Sequence, residues 1–252
     1  MSGVETPALL ALLGVAALAG FVDAVAGGGG LIQLPPLLAI LGPGAAPAVS
    51  KVSSFCGTSA AIVRYAANGS VRWDRLAWAG PVALVGSFLG TRSYLAVLKD
   101  AARVVRPGFA VCFLALAAYQ VWKALRPATV TAAPRARPWI ALAFIAVIGV
   151  YDGFVGPGTG MFLFWALTTW MALPALEATG TTKAINGLTN VGALAAFLTN
   201  GPILWPLALS MAGANLVGGW LGAHTAIRRG VTFIRVMTAV VCAGASVYLL
   251  LT

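Results

Sequence analysis

Apolar runs, most of them near the length of a bilayer crossing, follow one another along this chain with little polar sequence between them. A hydrocarbon core about 30 Å thick takes about 20 residues of helix at 1.5 Å each, and the backbone crossing it must satisfy its own N–H and C=O groups. Runs of that order recur from end to end, which rules out an ordinary soluble core. The composition agrees: 60% of the 252 residues are hydrophobic, 9% are charged and the mean hydropathy is +0.92. The expected class is an all-α integral membrane protein with no separate soluble domain.

Five segments fall in each half. The first half holds Pro7 to Ala26, a short Leu31 to Leu41, Val49 to Ala67, Leu76 to Leu98 and Pro107 to Leu125; the second holds Trp139 to Val155, a short Met161 to Leu173, Leu176 to Leu198, Ile203 to Ile227 and Phe233 to Leu251. The expected domains are a first transmembrane repeat over 1–125, a Pro-rich basic cytoplasmic linker over 126–138, and a second repeat over 139–252. Glu5 and the lack of Lys or Arg before Pro7 leave no basic n-region for a signal peptide, so the first segment reads as a retained helix. Cys56, Cys112 and Cys242 stand singly in apolar segments without metal or redox spacing, which gives them the role of small buried residues. The net charge of +10 lies mainly between apolar runs, where anionic lipid headgroups are its partners and nucleic acid is not.

The halves repeat. At an offset of 132, Lys51 falls on Lys183, Asn68-Gly69 on Asn200-Gly201, Trp73 on Trp205, and Gly86 and Gly90 on Gly218 and Gly222. Around the glycine clusters the offset is 129, which sets Asp23 on Asp152, Gly27 on Gly156 and Gly29 on Gly158. A collinear series that includes Asp, Lys, Asn and Trp points to duplication. If each short segment crosses, the halves are inverted. An outside N-terminus then places Arg64, Arg72, Arg75, Lys123, Arg126, Arg135, Arg137, Arg228, Arg229 and Arg235 on the cytoplasmic side, with Arg92, Lys99, Arg103 and Arg106 outside. That split, ten against four, follows the positive-inside rule, whereas parallel halves divide the same residues seven and seven. Two five-segment repeats in inverted topology, with short broken or re-entrant helices after the glycine clusters, are therefore expected.

Chemistry is expected where the helices break. Gly27, Gly28, Gly29 and Gly30, and Gly156, Gly158 and Gly160, interrupt apolar sequence with too few polar side chains for a solvated loop. Irregular backbone at membrane depth must be buried in protein or line an aqueous cavity, and the short helix that follows aims its unpaired N–H groups and positive dipole end at the break. That arrangement attracts anions. The competing role for these glycines is close helix crossing, which is the preferred reading for Gly86, Gly90, Gly218 and Gly222.

The third segment of each half adds a polar stripe: Lys51, Ser54 and Thr58 at i, i+3, i+7, matched by Lys183, Asn186 and Asn190, with Thr182 beside it. A lysine within a span is costly unless it meets water, a partner or a substrate, so both lysines are candidates for binding an anion. The alternative is snorkelling from the helix start, with Glu177 as an ion-pair partner for Lys183. Asp23 and Asp152 precede the breaks, as carriers of a coupling proton or, the favoured role, as partners of backbone N–H groups or basic residues. His224, the only histidine, reads as interfacial.

At these residues the chain resembles the sulfite exporter TauE/SafE family. The likeness is carried by Asp23 with Gly27 to Gly30 and a Pro-containing short segment, by the Lys51 region, and by Tyr151 to Gly160 followed by Thr179-Gly-Thr-Thr-Lys-Ala-Ile-Asn186. It implies a permease exporting small sulfur-containing or organic anions, sulfite and sulfonates such as sulfoacetate among them, across a bacterial inner membrane. Ser54 and Thr58 stand where the second half has Asn186 and Asn190, so the two half-sites are not chemically equal. No catalytic set, cofactor site or metal-ligand spacing is visible, so no enzyme is expected. An anion channel and a non-transporting membrane assembly protein remain alternatives. A homodimer is an open expectation.

Overall fold

The computed structural model describes residues 6–124 and 137–251, with side chains described outside 99–124, 200, 231, 235 and 238–251. Its elements are α1 (Thr6–Ala26), α2 (Gly29–Ala67), α3 (Trp73–Ala124), α4 (Pro138–Phe154), α5 (Thr159–Trp170), α6 (Ala175–Asn200) and α7 (Trp205–Leu251), and no strand occurs among the described residues. α1, α2 and the Trp73–Leu98 part of α3 are long and apolar enough to cross a membrane, and α4 is a shorter apolar helix. The expected linker falls almost wholly on residues 125–136, outside those described. α3 runs through the fourth and fifth expected segments as one element.

Two glycines bend long elements sharply. Gly42 adopts φ 69°, ψ 178° within α2, and Gly230 adopts φ 71°, ψ −164° within α7. These are conformations that only glycine reaches without strain. Gly42 therefore divides α2 into a short helix, 29–41, and a long one, 43–67. Pro43 suits the start of the second because its fixed φ and missing N–H cost nothing in a first turn. Gln33 bonds Ser50 across this bend, so the short helix folds back along the long one.

Helix directions follow from which residues meet. Asp23 and Ala24 of α1 meet Thr58 and Tyr65, and Ala17 and Phe21 meet Gly218 and Gly222, so α1, 43–67 and the first part of α7 run the same way. Gly86 and Gly90 of α3 lie on Ala146 and Val150 of α4, while Gly80 and Leu84 meet Leu188 and Gly192 of α6; these three also run together. The two groups oppose each other, because Lys51 meets Asn190 whereas Tyr65 meets Gly180. α5 runs back along α4, with Tyr151 against Phe162 and Phe144 against Trp170.

The small residues explain how closely the helices pack. A Cβ at Gly86 would stand 3.0 Å from the Ala146 carbonyl oxygen, and one at Gly90, Gly218 or Gly222 would collide with a carbonyl of the facing helix. Small residues four apart let backbones touch where lipid supplies no hydrophobic drive between helices. The outer surface is apolar, with Leu10, Val63, Val147, Leu198, Leu209 and Val217 exposed.

Candidate functional site

The two glycine breaks meet. Gly27 (φ 78°) packs on the Gly160 backbone, where a Cβ would lie 2.6 Å from the Gly160 carbonyl carbon, and a Cβ on Gly30 would lie 3.2 Å from Pro157 Cα. Gly156 (φ 92°) and Gly158 (φ 81°) are left-handed, and Gly158 caps α5. Side chains satisfy part of the interrupted backbone: Tyr151 Oη donates to the Pro157 carbonyl (2.6 Å), Thr159 Oγ1 to the Gly156 carbonyl (2.7 Å), and the Gly29 N–H to Asp23 Oδ1 (3.4 Å). Close approach and a cavity wall coexist in these glycines.

Each stripe lysine is paired with the aspartate of the other half. Lys51 Nζ lies 2.5 Å from Asp152 Oδ2, and Lys183 Nζ lies 2.9 Å from Asp23 Oδ2. Ser87 Oγ also reaches Asp152 Oδ2 (3.4 Å), and Thr58 Oγ1 reaches Asp23 Oδ2 (3.5 Å). The Lys183 side chain is 1% exposed and that of Lys51 is 12% exposed. Snorkelling is thereby excluded, and Glu177 is not the partner of Lys183: it pairs with Arg72 at 3.1 Å. The stripes are also not a bare cationic wall, because each ammonium faces a carboxylate. A buried charge is tolerated only when paired and hydrogen-bonded, and each lysine finds that compensation in an aspartate of the other half.

Between these groups lies a cavity of about 50 Å³, room for a few waters or one small oxyanion. Asp23, Gly27, Gly30, Lys51 and Ser54 line it from the first half; Asp152, Gly156, Gly158, Gly160, Asn186 and Asn190 line it from the second. Gly28, Gly29, Thr58, Thr182 and Lys183 do not line it. Asn190 Oδ1 accepts a hydrogen bond from Lys51 Nζ (3.4 Å), while its Nδ2 is buried with no partner. Thr182 Oγ1 is likewise buried and unpartnered. Asn186 Oδ1 accepts from Thr189 Oγ1 (3.1 Å). In the first turn of α5 the Thr159 and Met161 N–H groups bond the Gly156 and Gly158 carbonyls (3.4 and 3.0 Å), so the break satisfies much of its own backbone.

A polar cluster that the stripes do not reveal supports one wall. Gln33 Nε2 donates to Ser50 Oγ (3.2 Å), and Gln33 Oε1 accepts from Ser53 Oγ (3.2 Å) and Asn215 Nδ2 (2.8 Å). Gln33 is fully buried and Asn215 is 3% exposed. The repeat offsets set Gln33 on Phe162 and Asn215 on Ala83, so the cluster has no counterpart in the other half and comparing the halves does not find it. A lone amide in a short apolar helix was its only signal. Phe154, Pro157 and Phe197 also line the cavity.

His224 Nδ1 lies 2.7 Å from Arg64 Nη2, near the end of the molecule that carries Arg228 and Arg229. Cys56 is a half-buried free thiol, while the side chains of Cys112 and Cys242 lie outside the described residues. Among the described residues no group of three or more His, Cys, Asp or Glu is placed to hold a metal ion.

Long apolar helices enclosing a small polar cavity at two helix breaks define a multi-pass membrane protein built like a transporter. The chain matches the family model described as sulfite exporter TauE/SafE over residues 12–249, and it belongs to that family. It is 33% identical over 247 residues to a probable membrane transporter protein, ORF9, of Sinorhizobium sp., covering 96% of this chain and 92% of the relative. It is 30% identical over 251 residues to the probable membrane transporter protein YfcA of Escherichia coli K12 (97% and 91%), and 29% identical over 243 residues to a probable membrane transporter protein of Haemophilus influenzae (94% and 92%). No solved structure matches the chain. Membership places it in a transporter family.

Proposed function

We propose that this chain exports small oxyanions, with sulfite and sulfonates such as sulfoacetate as the substrate class, across a bacterial inner membrane by alternating access. The observation that carries the reading is Asn190: its Nδ2 is buried in the cavity wall without a partner, beside the Lys51 ammonium. A buried amide donor left unpaired costs about 1–3 kcal/mol, which an entering acceptor recovers. Lys51, Asn190 and Ser54 form a donor set in the cavity wall, and a sulfonate or sulfite presents oxygens to it. The anion competes with Asp152 for Lys51, so binding loosens a contact between the two halves.

Inverted repeats are the architecture we assign. What supports them is the direction of corresponding helices: α1 opposes α4, 43–67 opposes α6, and the start of α3 opposes the start of α7. The short helices, about 18–20 Å long, reverse the chain between the first and third helices of each half without spanning about 30 Å of hydrocarbon. Among described residues, Arg64, Arg72, Arg75, Arg137, Arg228 and Arg229 gather at one end, assigned as cytoplasmic. A negative-inside potential then favours anion efflux by about 2.3 kcal/mol per charge per 100 mV.

The test is anion flux in proteoliposomes loaded with sulfite or sulfoacetate. The expected result is saturable flux that is lost in Lys51→Ala protein that remains folded, and that needs more anion to saturate in Asn190→Leu. Full flux in both variants refutes the site. Flux that rises without saturation assigns the same donors to a channel.

A further inference from the structure

The cavity is one-sided. Its lining includes Pro47, Ser50, Lys51 and Phe197 but omits their repeat counterparts Thr179, Thr182, Lys183 and Tyr65. Those four are at most 3% exposed, and the Thr182 hydroxyl has no partner. The cavity extends toward the end of the molecule holding Gly42 and the end of α6, the open side, where the Lys51 side chain is 12% exposed; it stops short of the α2–α3 turn and the start of α6, the shut side, where that of Lys183 is 1% exposed.

Polar contacts close the shut side. The Arg72 N–H donates to Thr181 Oγ1 (3.0 Å), Arg72 Nη1 pairs with Glu177 Oε2 (3.1 Å), and Tyr65 Oη donates to the Ala24 carbonyl (3.0 Å). Gly180 packs on the Ser70 carbonyl, where any side chain would collide. None of this can form at the open side, because the offset of 132 puts Leu204, Ala45, Val49 and Phe197 at the positions of Arg72, Glu177, Thr181 and Tyr65. The repeat is symmetric in its lysines and aspartates but not in this closure.

We propose that Arg72, through Glu177 and the Thr181 hydroxyl, is a latch holding shut the arginine-rich face, and that its release opens a second half-site built from Thr182, Lys183 and Asp23. This rests on the alternating-access reading above and adds what sets the resting state. When the α2–α3 turn parts from the start of α6, Tyr65 and Ser70 leave Gly180, and the Thr182 hydroxyl and Lys183 ammonium meet water as Ser50 and Lys51 do now. Release of the Lys183–Asp23 pair then presents an anion to the arginine-rich side. Arg72 and Glu177 are 42% and 33% exposed, so the latch is weak enough to open repeatedly.

Cysteine accessibility tests this without requiring transport. In a chain whose own cysteines are replaced by alanine, Thr182→Cys and Ser54→Cys are labelled with a membrane-impermeant maleimide in inside-out vesicles and in spheroplasts. Arg72→Ala and Glu177→Gln are expected to raise Thr182→Cys labelling in inside-out vesicles, and to lower Ser54→Cys labelling in spheroplasts, each by about two- to fivefold, the range an exposed ion pair supports. Glu177→Asp, which keeps the charge, is expected to label like the parent. Unchanged labelling in both latch variants overturns the latch, and no labelling of Thr182→Cys in any background overturns the second half-site. Loss of the transport reading shows separately, as absent anion flux in proteoliposomes.

Discussion

The two lysine–aspartate pairs are chemically alike but differently buried, and removing each carboxylate separates them. Asp23→Ala leaves the Lys183 ammonium 1% exposed, with the carboxylate it pairs with at 2.9 Å gone. Breaking a buried pair from one side costs about 3–5 kcal/mol, because the remaining charge is uncompensated. At about 2–4 °C per kcal/mol for a chain of this length, the melting temperature in detergent falls by about 6–20 °C. Asp152→Ala leaves Lys51 12% exposed in the cavity wall, still bonded to Asn190 Oδ1 at 3.4 Å and open to water. Its loss is expected to be less than half as large. The double variant Asp23→Ala with Lys183→Met removes the orphan charge, and restores most of the stability without restoring transport. Thermal unfolding followed by tryptophan fluorescence reads all three. An Asp23→Ala loss no larger than that of Asp152→Ala, or a double variant no more stable than the single, refutes the argument from burial.

Asn190→Leu is expected to raise the KM for anion flux by about 10- to 100-fold, the worth of a hydrogen bond to a charged group, and to abolish anion-dependent thermal stabilisation while leaving the anion-free melting point near wild type. Gly27→Ala forces a side chain into a φ 78° backbone 2.6 Å from Gly160, and is expected to lower the melting temperature and stop transport; Gly44→Ala, which meets nothing within 4 Å, is expected to be neutral or stabilising in the same scan. Gln33→Leu strands the amide of Asn215 and the hydroxyl of Ser53, at about 1–3 kcal/mol for each buried group left unpaired. A melting point within 2 °C of wild type, where a loss of about 2–4 °C per kcal/mol is expected, contradicts that accounting.

Much of this protein is legible in the sequence because lipid removes choices. With no water to satisfy the backbone, long apolar runs become helices, and the observed boundaries fall within a few residues of the runs in α1, α4 and α6. A break at the glycine clusters was legible as well, and Gly27, Gly156 and Gly158 do take the positive φ that glycine alone reaches without strain. The offset repeat also named Lys51, Lys183, Asp23 and Asp152 as a set before any contact was known.

What the sequence alone determined was therefore which residues are polar where polarity is costly. What only the tertiary structure decided was their pairing. Lys51 finds Asp152 and Lys183 finds Asp23 across 101 and 160 residues, because the first helix of each half packs against the fourth helix of the other through glycines. Those pairings turn a stripe that reads as cationic into two compensated pairs. They bury one lysine more than the other, and they leave Asn190 lining the cavity with its Nδ2 buried and without a partner. Periodicity reports the face of a helix, but not which helix that face will meet, and charge compensation depends on the meeting.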